Sequence, residues 1–231
     1  MSSLEDIAIN KCWCNEDNQT IYENMPLDDL EHCAHLVGIA HGEDIDQIQR
    51  YLYSAKNILE IGAGYGRVIR KLLADYPRAN ITAIERITKY ADYLKQTYPE
   101  VNVVNENIFN VTFTQKYDVI LLMWSTFGEF SRNEQGKLLN YLLSQITPKG
   151  VIFIELWKPM SKHVYANKVI ENNVEYKSVY GNHYVYIPRK KELITFARKN
   201  LISLKTINYK NSTNEERVIF CFHNNKTEST L

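Results

Sequence analysis

A glycine-rich turn between an apolar run and an amphipathic run constrains this chain more than any other feature. The stretch NILEIGAGYGRVIRKLL, residues 57–73, places Gly62, Gly64 and Gly66 within five positions. In such a turn between a first strand and a first helix, backbone amides and the helix N-terminus face a ligand. Dinucleotide folds use G-x-G-x-x-G, whereas position 67 here is Arg67, and no Gly-Lys-Ser/Thr follows to form a P-loop. The spacing therefore disfavours both nucleotide classes, including an NAD-dependent oxidoreductase.

Strand-like and helix-like segments alternate after the glycine turn. Apolar runs typical of strands occupy residues 57–62, 80–85, 101–106, 117–124 and 151–156. Amphipathic runs typical of helices occupy residues 66–76, 87–98 and 131–146, and Pro148-Lys149-Gly150 predicts a turn. This alternation predicts an α/β fold whose parallel, doubly wound sheet carries helices on both faces.

The two ends of the chain read differently from the centre. Residues 1–28 are polar and irregular, and helices are predicted over 27–40 and 43–55. Residues 174–187 alternate around Gly181-Asn182, which predicts a hairpin. A helix over 189–200 and strands over 201–209 and 216–223 follow, and the tail 224–231 is expected to be disordered.

The pattern Glu60-x-Gly62-x-Gly64-x-Gly66 resembles the first motif of the class I, Rossmann-like methyltransferases that use S-adenosylmethionine (SAM). SAM has no phosphate, which agrees with the failed dinucleotide spacing. Glu85 ends the second strand, where a carboxylate accepts hydrogen bonds from a ribose diol. The resemblance implies SAM as cofactor and S-adenosylhomocysteine (SAH) as product. It implies as cofactor-binding residues Glu60, Gly62, Ala63, Gly64, Gly66, Glu85, Arg86, Asn107, Ile108 and Met123.

Further motifs in the family's order extend the resemblance over residues 57–156. Asn107-Ile108 stand where the family often has an acidic and an apolar residue against adenine, and LLMWSTFG follows strand four. The resemblance implies a Rossmann-like sheet of seven strands, mostly parallel with an antiparallel last strand. It also implies a helical cap over the cofactor site at 1–56 and a SAM-binding domain at 57–223. A hairpin insert near 174–187 is then a lid or a dimer contact.

Structural roles without a ligand remain open for several of these residues. The glycines can serve a tight turn alone, Glu60 can pair with Arg67, and Glu85 can be a solvated acid at a helix start. A zinc site from Cys12, Cys14, Cys33 and His32 or His35 departs from the usual ligand spacing, so no metal is expected.

The catalytic candidates follow strands four and five, because ligands of open α/β sheets lie beyond the carboxyl ends of the strands. Glu129 is the first choice for a base or for an anchor of a substrate amine, His163 the second, and Trp124 lines the same region. The enzyme must align a nucleophile with the methyl group, exclude water and remove a proton where needed.

The acceptor is expected to be an N or O nucleophile of a small molecule. Trp124-Ser125-Thr126-Phe127 lacks the prolines of base-amino methyltransferases and the Pro-Cys pair of C5-cytosine enzymes. Lys and Arg number 27, as do Asp and Glu, so the net charge of zero also makes nucleic acid an unlikely partner. A protein or RNA methyltransferase and a non-catalytic SAM-binding protein remain the alternatives.

Length and composition indicate a single globular domain. The 231 residues contain four cysteines, no bilayer-length apolar run and no basic segment preceding an apolar one at the start. A cytoplasmic monomer or homodimer that does not interact with membranes is therefore expected.

Overall fold

The computed structural model describes residues 15–158, 168–170 and 172–224. Within these residues, four helices precede the first strand: α1 (Asn15–Asn24), α2 (Leu27–Leu36), α3 (Glu43–Asp46) and α4 (Gln49–Leu52). The central segment runs β1 (Asn57–Ile61), α5 (Arg67–Asp75), β2 (Asn80–Ile84), α6 (Thr88–Thr97), β3 (Asn102–Val104), β4 (Tyr117–Leu122), α7 (Arg132–Leu143) and β5 (Ile146–Trp157). Then follow β6 (Lys168–Ile170), β7 (Asn173–Ser178), β8 (Gly181–Tyr186), α8 (Lys190–Lys199), β9 (Ile202–Lys210) and β10 (Glu216–Asn224).

Seven of these strands form one sheet in the order β3-β2-β1-β4-β5-β10-β9. Strands β1 to β5 pair in parallel, and β10 runs antiparallel to both β5 and β9. The strand order reverses between β1 and β4, which is where open α/β sheets form a ligand crevice beyond their carboxyl ends. The predicted doubly wound, mostly parallel sheet with an antiparallel last strand is confirmed.

The central strands are apolar on both faces because a packed layer covers each face. Ile58 of β1 and Val119 of β4 belong to one core cluster, and their neighbours Leu59 and Ile120 belong to the other. All four side chains are buried. Side chains alternate between the faces of a strand, so each continuous apolar run supplies both layers at once.

A small second sheet, β6-β7-β8, contains the predicted hairpin. The turn, however, is formed by Val179 and Tyr180, because Ser178 pairs with Gly181. Gly181 therefore begins β8 with a φ of 132° instead of sitting at the centre of the turn. The sequence prediction of Gly181-Asn182 as the centre was wrong by two residues.

Two other local predictions need correction. Residues 15–24 were predicted irregular, yet they form α1. Pro148-Lys149-Gly150 was predicted to be a turn, yet it lies within β5. The pairing of β4 with β5 changes register there, after the pair Tyr117–Ile146 and before the pair Val119–Val151. Pro148 therefore lies in an irregular stretch, where its missing backbone N–H is not needed for a hydrogen bond between the strands.

Candidate active site

A cavity of about 340 Å³ opens at the carboxyl ends of the central strands. One part of its wall is the glycine loop after β1, and another is the loop after β4. Helices α1 and α2 contribute Tyr22 and Leu30, and the small sheet contributes Tyr176 and His183. Elements far apart in the sequence therefore enclose one space.

The glycine loop offers bare backbone to this cavity. The Gly62 amide donates to the Ile84 carbonyl oxygen at 2.9 Å and the Gly64 amide to Glu85 Oε2 at 2.8 Å, so neither is available to a ligand in this arrangement. A Cβ at Gly62 would lie 2.8 Å from Thr126 Cγ2, so glycine lets the loop after β4 approach.

Gly66 has a different task from the other two glycines. It caps α5 with a φ of 83° and does not line the cavity. A Cβ there would lie 2.6 Å from Tyr98 Cε2 and 2.8 Å from Leu94 Cδ2. Gly66 therefore allows α5 to begin in close contact with α6 and with Tyr98, the residue that follows α6.

Glu60 lines the cavity from the end of β1. It is 3% exposed, and its Oε2 is buried without a hydrogen-bond partner. Burial raises the pKa of Glu60 well above its ordinary value, a shift that the nearby Arg67 guanidinium only partly offsets. Arg67 makes its hydrogen bonds elsewhere, with Asp44 at 2.6 and 2.7 Å and with the Ile39 carbonyl oxygen at 2.9 Å. The alternative of a direct Glu60–Arg67 ion pair is therefore not observed.

Glu85 is a buried carboxylate, which argues against the alternative of a solvated acid at a helix start. Its Oε2 accepts the Gly64 amide and its Oε1 the Ile87 amide, both at 2.8 Å. Burial raises the pKa of Glu85, and these donors oppose the shift. Each oxygen retains acceptor capacity, because a carboxylate has about four lone-pair sites.

The loop after β4 has a strained backbone. Trp124 and Ser125 adopt φ values of 49° and 60°, in the left-handed region that side chains disfavour by roughly 1–2 kcal/mol per residue. The Ser125 amide donates to the Glu155 carbonyl oxygen at 3.1 Å, and Thr126 Oγ1 donates to the Met123 carbonyl oxygen at 2.7 Å. These bonds hold a conformation that places Met123 and Trp124 on the cavity wall.

Glu129, at the end of a short 3₁₀ turn after β4, is the centre of a polar cluster. Its Oε1 accepts the Tyr22 hydroxyl at 2.7 Å and lies 2.6 Å from His183 Nε2. Its Oε2 accepts Asn18 Nδ2 at 2.7 Å. Burial by itself raises the pKa of Glu129, but the interaction with His183, the Tyr22 hydrogen bond and the Arg86 charge outweigh it, so the pKa lies below its ordinary value. Glu129 is thus ionised near neutral pH.

Tyr22 responds in the opposite direction. Burial and the Glu129 carboxylate raise the pKa of Tyr22 well above its ordinary value, so its hydroxyl stays protonated and donates. Since an ionised carboxylate only accepts hydrogen bonds, the short contact assigns a proton to His183 Nε2. The His183 ring lies against the Tyr22 and Tyr176 rings, with centroids 5.7 and 6.0 Å away.

Most predicted site residues share this cavity. Its walls include Glu60, Gly62, Ala63, Gly64, Glu85, Arg86, Asn107, Ile108, Met123, Trp124 and Glu129. Asn107 Oδ1 already accepts the Phe109 amide at 3.1 Å. His163 and the cysteines Cys12 and Cys14 lie outside the described residues.

Two polar residues of the site were missed in the sequence. Asn18 and His183 reach Glu129 from 111 and 54 residues away. No local motif marks them, and only the alternating hairpin pattern around His183 gave a signal that this strand exists.

Within the described part of the chain, no group of three or more metal-ligating side chains comes together, and no helix there is long and apolar enough to cross a membrane.

Comparison with known proteins agrees with this geometry. Residues 58–150 match the family model described as a methyltransferase domain. The chain is 32% identical over 77 residues to ribosomal RNA small subunit methyltransferase A of Prosthecochloris aestuarii, covering 31% of this chain and 29% of that protein. It is 30% identical over 110 residues to malonyl-[acyl-carrier protein] O-methyltransferase of Acetivibrio thermocellus, covering 47% of this chain and 38% of that protein. The chain thus spans about a third of the length of these curated relatives.

Solved structures match over more of the chain. The plantazolicin methyltransferase BpumL, solved in complex with a pentazolic desmethylPZN analogue and SAH, superposes with a TM-score of 0.66 at 13% identity over 94% of this chain and 99% of that one. A SAM-dependent methyltransferase from Clostridium acetobutylicum gives a TM-score of 0.63 at 10% identity over 95% of this chain and 96% of that one.

Residues 58–150 thus match a methyltransferase domain, and the sheet has the Rossmann-like fold of the solved SAM-dependent methyltransferases. The resemblance predicted from the glycine motif is confirmed at this level.

Proposed function

We propose that this protein transfers a methyl group from SAM to an N or O nucleophile of a small molecule. The observation that carries the proposal is the single cavity at the strand-order reversal. Its wall joins the glycine loop and Glu85 to the loop after β4 and the Glu129 cluster. A cofactor and an acceptor can therefore meet in one enclosed space, as transfer between them requires.

The cofactor end fits SAM on three observations. The buried Glu60 Oε2 lacks a partner, which suits the ammonium group of an amino acid. Glu85 retains acceptor capacity on both oxygens, which suits a ribose diol. The cavity wall at Gly62 and Gly64 has no side chains to block a ligand. With Ala63, Arg86, Asn107, Ile108 and Met123, these residues would hold the cofactor, which supplies an electrophilic methyl group.

The acceptor end supplies a group that can manage protons. Glu129 and His183 form a hydrogen-bonded pair in which the His183 Nε2–H donates to the carboxylate. Nδ1 is the other nitrogen of the imidazole at which a proton can bind. Trp124 and Tyr22 flank this end and limit water. We assign Glu129 and His183 to positioning and proton removal, as general acid–base chemistry requires.

The N-terminal helices act in this proposal as a cap over the site. Asn18 Nδ2 donates to the Tyr184 carbonyl oxygen at 2.6 Å, and the Tyr184 amide donates back to Asn18 Oδ1 at 2.8 Å. The Tyr180 hydroxyl donates to Asp29 of α2. Helices α1 and α2 and the hairpin therefore form a continuous cover, which supports a lid role for the hairpin.

Calorimetric titration with SAM, SAH and NAD tests the proposal directly. We expect SAM and SAH to bind and NAD to give no heat. Glu85→Ala should weaken SAH binding by roughly 1–3 kcal/mol, the range for a lost hydrogen bond to a charged group. Glu100→Ala, an exposed glutamate outside the cavity, is the matched control. Absence of SAM and SAH binding by the folded wild-type protein would overturn the proposed function.

A ribosomal RNA acceptor is the second candidate, because two curated relatives are named as ribosomal RNA methyltransferases. The net charge of zero opposes it, since RNA binding draws on an excess of basic side chains. Salt-sensitive binding of a small-subunit RNA fragment at micromolar concentration would favour this candidate over a small molecule.

A further inference from the structure

We propose that the acceptor end of the cavity binds an amine in its ammonium form, with Glu129 as the ionic anchor. This inference deepens the proposed methyl transfer and rests on it for the cofactor. It names an amine as the substrate class: the bound ammonium would give one N–H proton to the Glu129–His183 pair before its nitrogen lone pair could accept the methyl group.

The hydrogen bonds of Glu129 leave room for one more donor. Oε1 is occupied twice, by Tyr22 and His183, whereas Oε2 has Asn18 as its one bonded partner among the described residues. A carboxylate offers about two acceptor positions per oxygen. The remaining position on Oε2 therefore suits an N–H donor from a ligand.

The charges around the cavity favour a cation there. Glu129 and Glu106 lie on its wall, whereas the wall residues Glu60 and Glu85 are assigned to the cofactor. Arg67 also lines it but is bound bidentately to the buried Asp44. Arg86 lies near enough to lower the pKa of both Glu85 and Glu129.

Aromatic rings complete a site of this kind. Trp124, Tyr22 and Tyr176 all line the cavity with Glu129. The face of an aromatic ring attracts an ammonium group, by about 2 kcal/mol or more where water is excluded. A neutral alcohol could donate one hydrogen bond to Glu129, but it would gain neither this attraction nor the charge pairing.

A matched pair of probes separates an amine site from a hydroxyl site. The full-length protein saturated with SAH is titrated at pH 7 with 2-phenylethylamine and with 2-phenylethanol, which share shape and size. We expect the amine to bind at least about tenfold more tightly, the equivalent of one ionic hydrogen bond. Glu129→Gln should bring the two affinities within about threefold of each other, with the amine affinity falling more than the alcohol affinity.

The controls keep this inference separate from the proposed function. Glu100→Gln, at an exposed position outside the cavity, should retain the amine preference. The wild-type comparison decides the matter even where Glu129→Gln does not fold: an alcohol that binds as tightly as the amine overturns the inference. Loss of both probes in Glu129→Gln to the same extent overturns it too. Absence of SAH binding by the wild-type protein contradicts methyl transfer instead.

Discussion

Replacing Asp44 by Asn should destabilise the protein by about 3–5 kcal/mol, the cost of breaking a buried ion pair on one side. Asp44 of α3 is 0% exposed and Arg67 of α5 is 4% exposed. The two side chains make two hydrogen bonds, at 2.6 and 2.7 Å. This pair ties the N-terminal helices to the first residue after the glycine loop.

The magnitude follows from what remains after the substitution. Arg67 cannot lose its proton, so the guanidinium stays charged in a buried place. Asn can accept one of the two hydrogen bonds, and the Ile39 carbonyl oxygen keeps another at 2.9 Å, but neither supplies a negative charge. The free energy of unfolding of a domain is typically about 5–15 kcal/mol, so the loss is a large share of the total stability.

Urea unfolding followed by circular dichroism measures the effect, with Asp46→Asn as the matched control. Asp46 bonds to Lys71 at 2.9 Å, but its side chain is 54% exposed. Exposed ion pairs contribute about 0–1 kcal/mol to the free energy of unfolding, so this control should have nearly the same urea midpoint as the wild-type protein.

Equal midpoints for the Asp44→Asn and Asp46→Asn proteins would refute the reasoning, because burial would then make no difference. A double variant, Asp44→Leu with Arg67→Met, removes both charges. It should regain most of the stability, since well-packed apolar residues often replace a buried ion pair without loss.

Two further predictions concern the glycine loop and its carboxylate. Gly64→Arg should abolish SAM binding while the fold persists, because a long side chain would enter the cavity at a position with a φ of 54°. Gly136→Arg, where a Cβ meets nothing within 4 Å, should bind SAM normally, and equal calorimetric affinities for the two variants would contradict the site. The raised pKa of Glu60 predicts that SAH affinity increases with pH above about 4.5, as the carboxyl ionises and meets the ligand ammonium. Glu60→Gln should flatten that dependence above about pH 4.5, and an unchanged slope in the variant would count against Glu60 as the anchor.

The sheet could be predicted from local pattern because its strands are apolar on both faces and punctuated by glycine and polar turns. Helix α1 could not, since NEDNQTIYEN contains Ile21 and Tyr22 as its large apolar residues. Its position depends on tertiary contacts, above all the bonds of Asn18 to β8. The irregular stretch at Pro148 was missed for a related reason: it depends on the register with β4, which the local sequence does not encode.

The candidate site divides in the same way. The residues proposed for the cofactor end lie within one motif and at one strand end, so the resemblance to the methyltransferase motif could locate Glu60 and Glu85. Its acceptor end is assembled from three distant elements, and Asn18 and His183 carry no motif of their own. A strand pattern can place His183 on a hairpin, but only packing of that hairpin on α1 directs it to Glu129.

The distribution of buried charges explains why we propose Glu60 as an anchor for a ligand. Two buried arginines lie in this part of the fold, and each already has a carboxylate: Arg67 has Asp44, and Arg217 has Glu155, to which its Nη2 donates at 2.9 Å. Glu60 is left with a buried oxygen that has no partner and with a raised pKa. A buried carboxyl without a partner costs stability in the ligand-free protein. A cationic ligand can recover that cost when it binds. Because both arginines are paired with other carboxylates, Glu60 remains able to pair with the ligand.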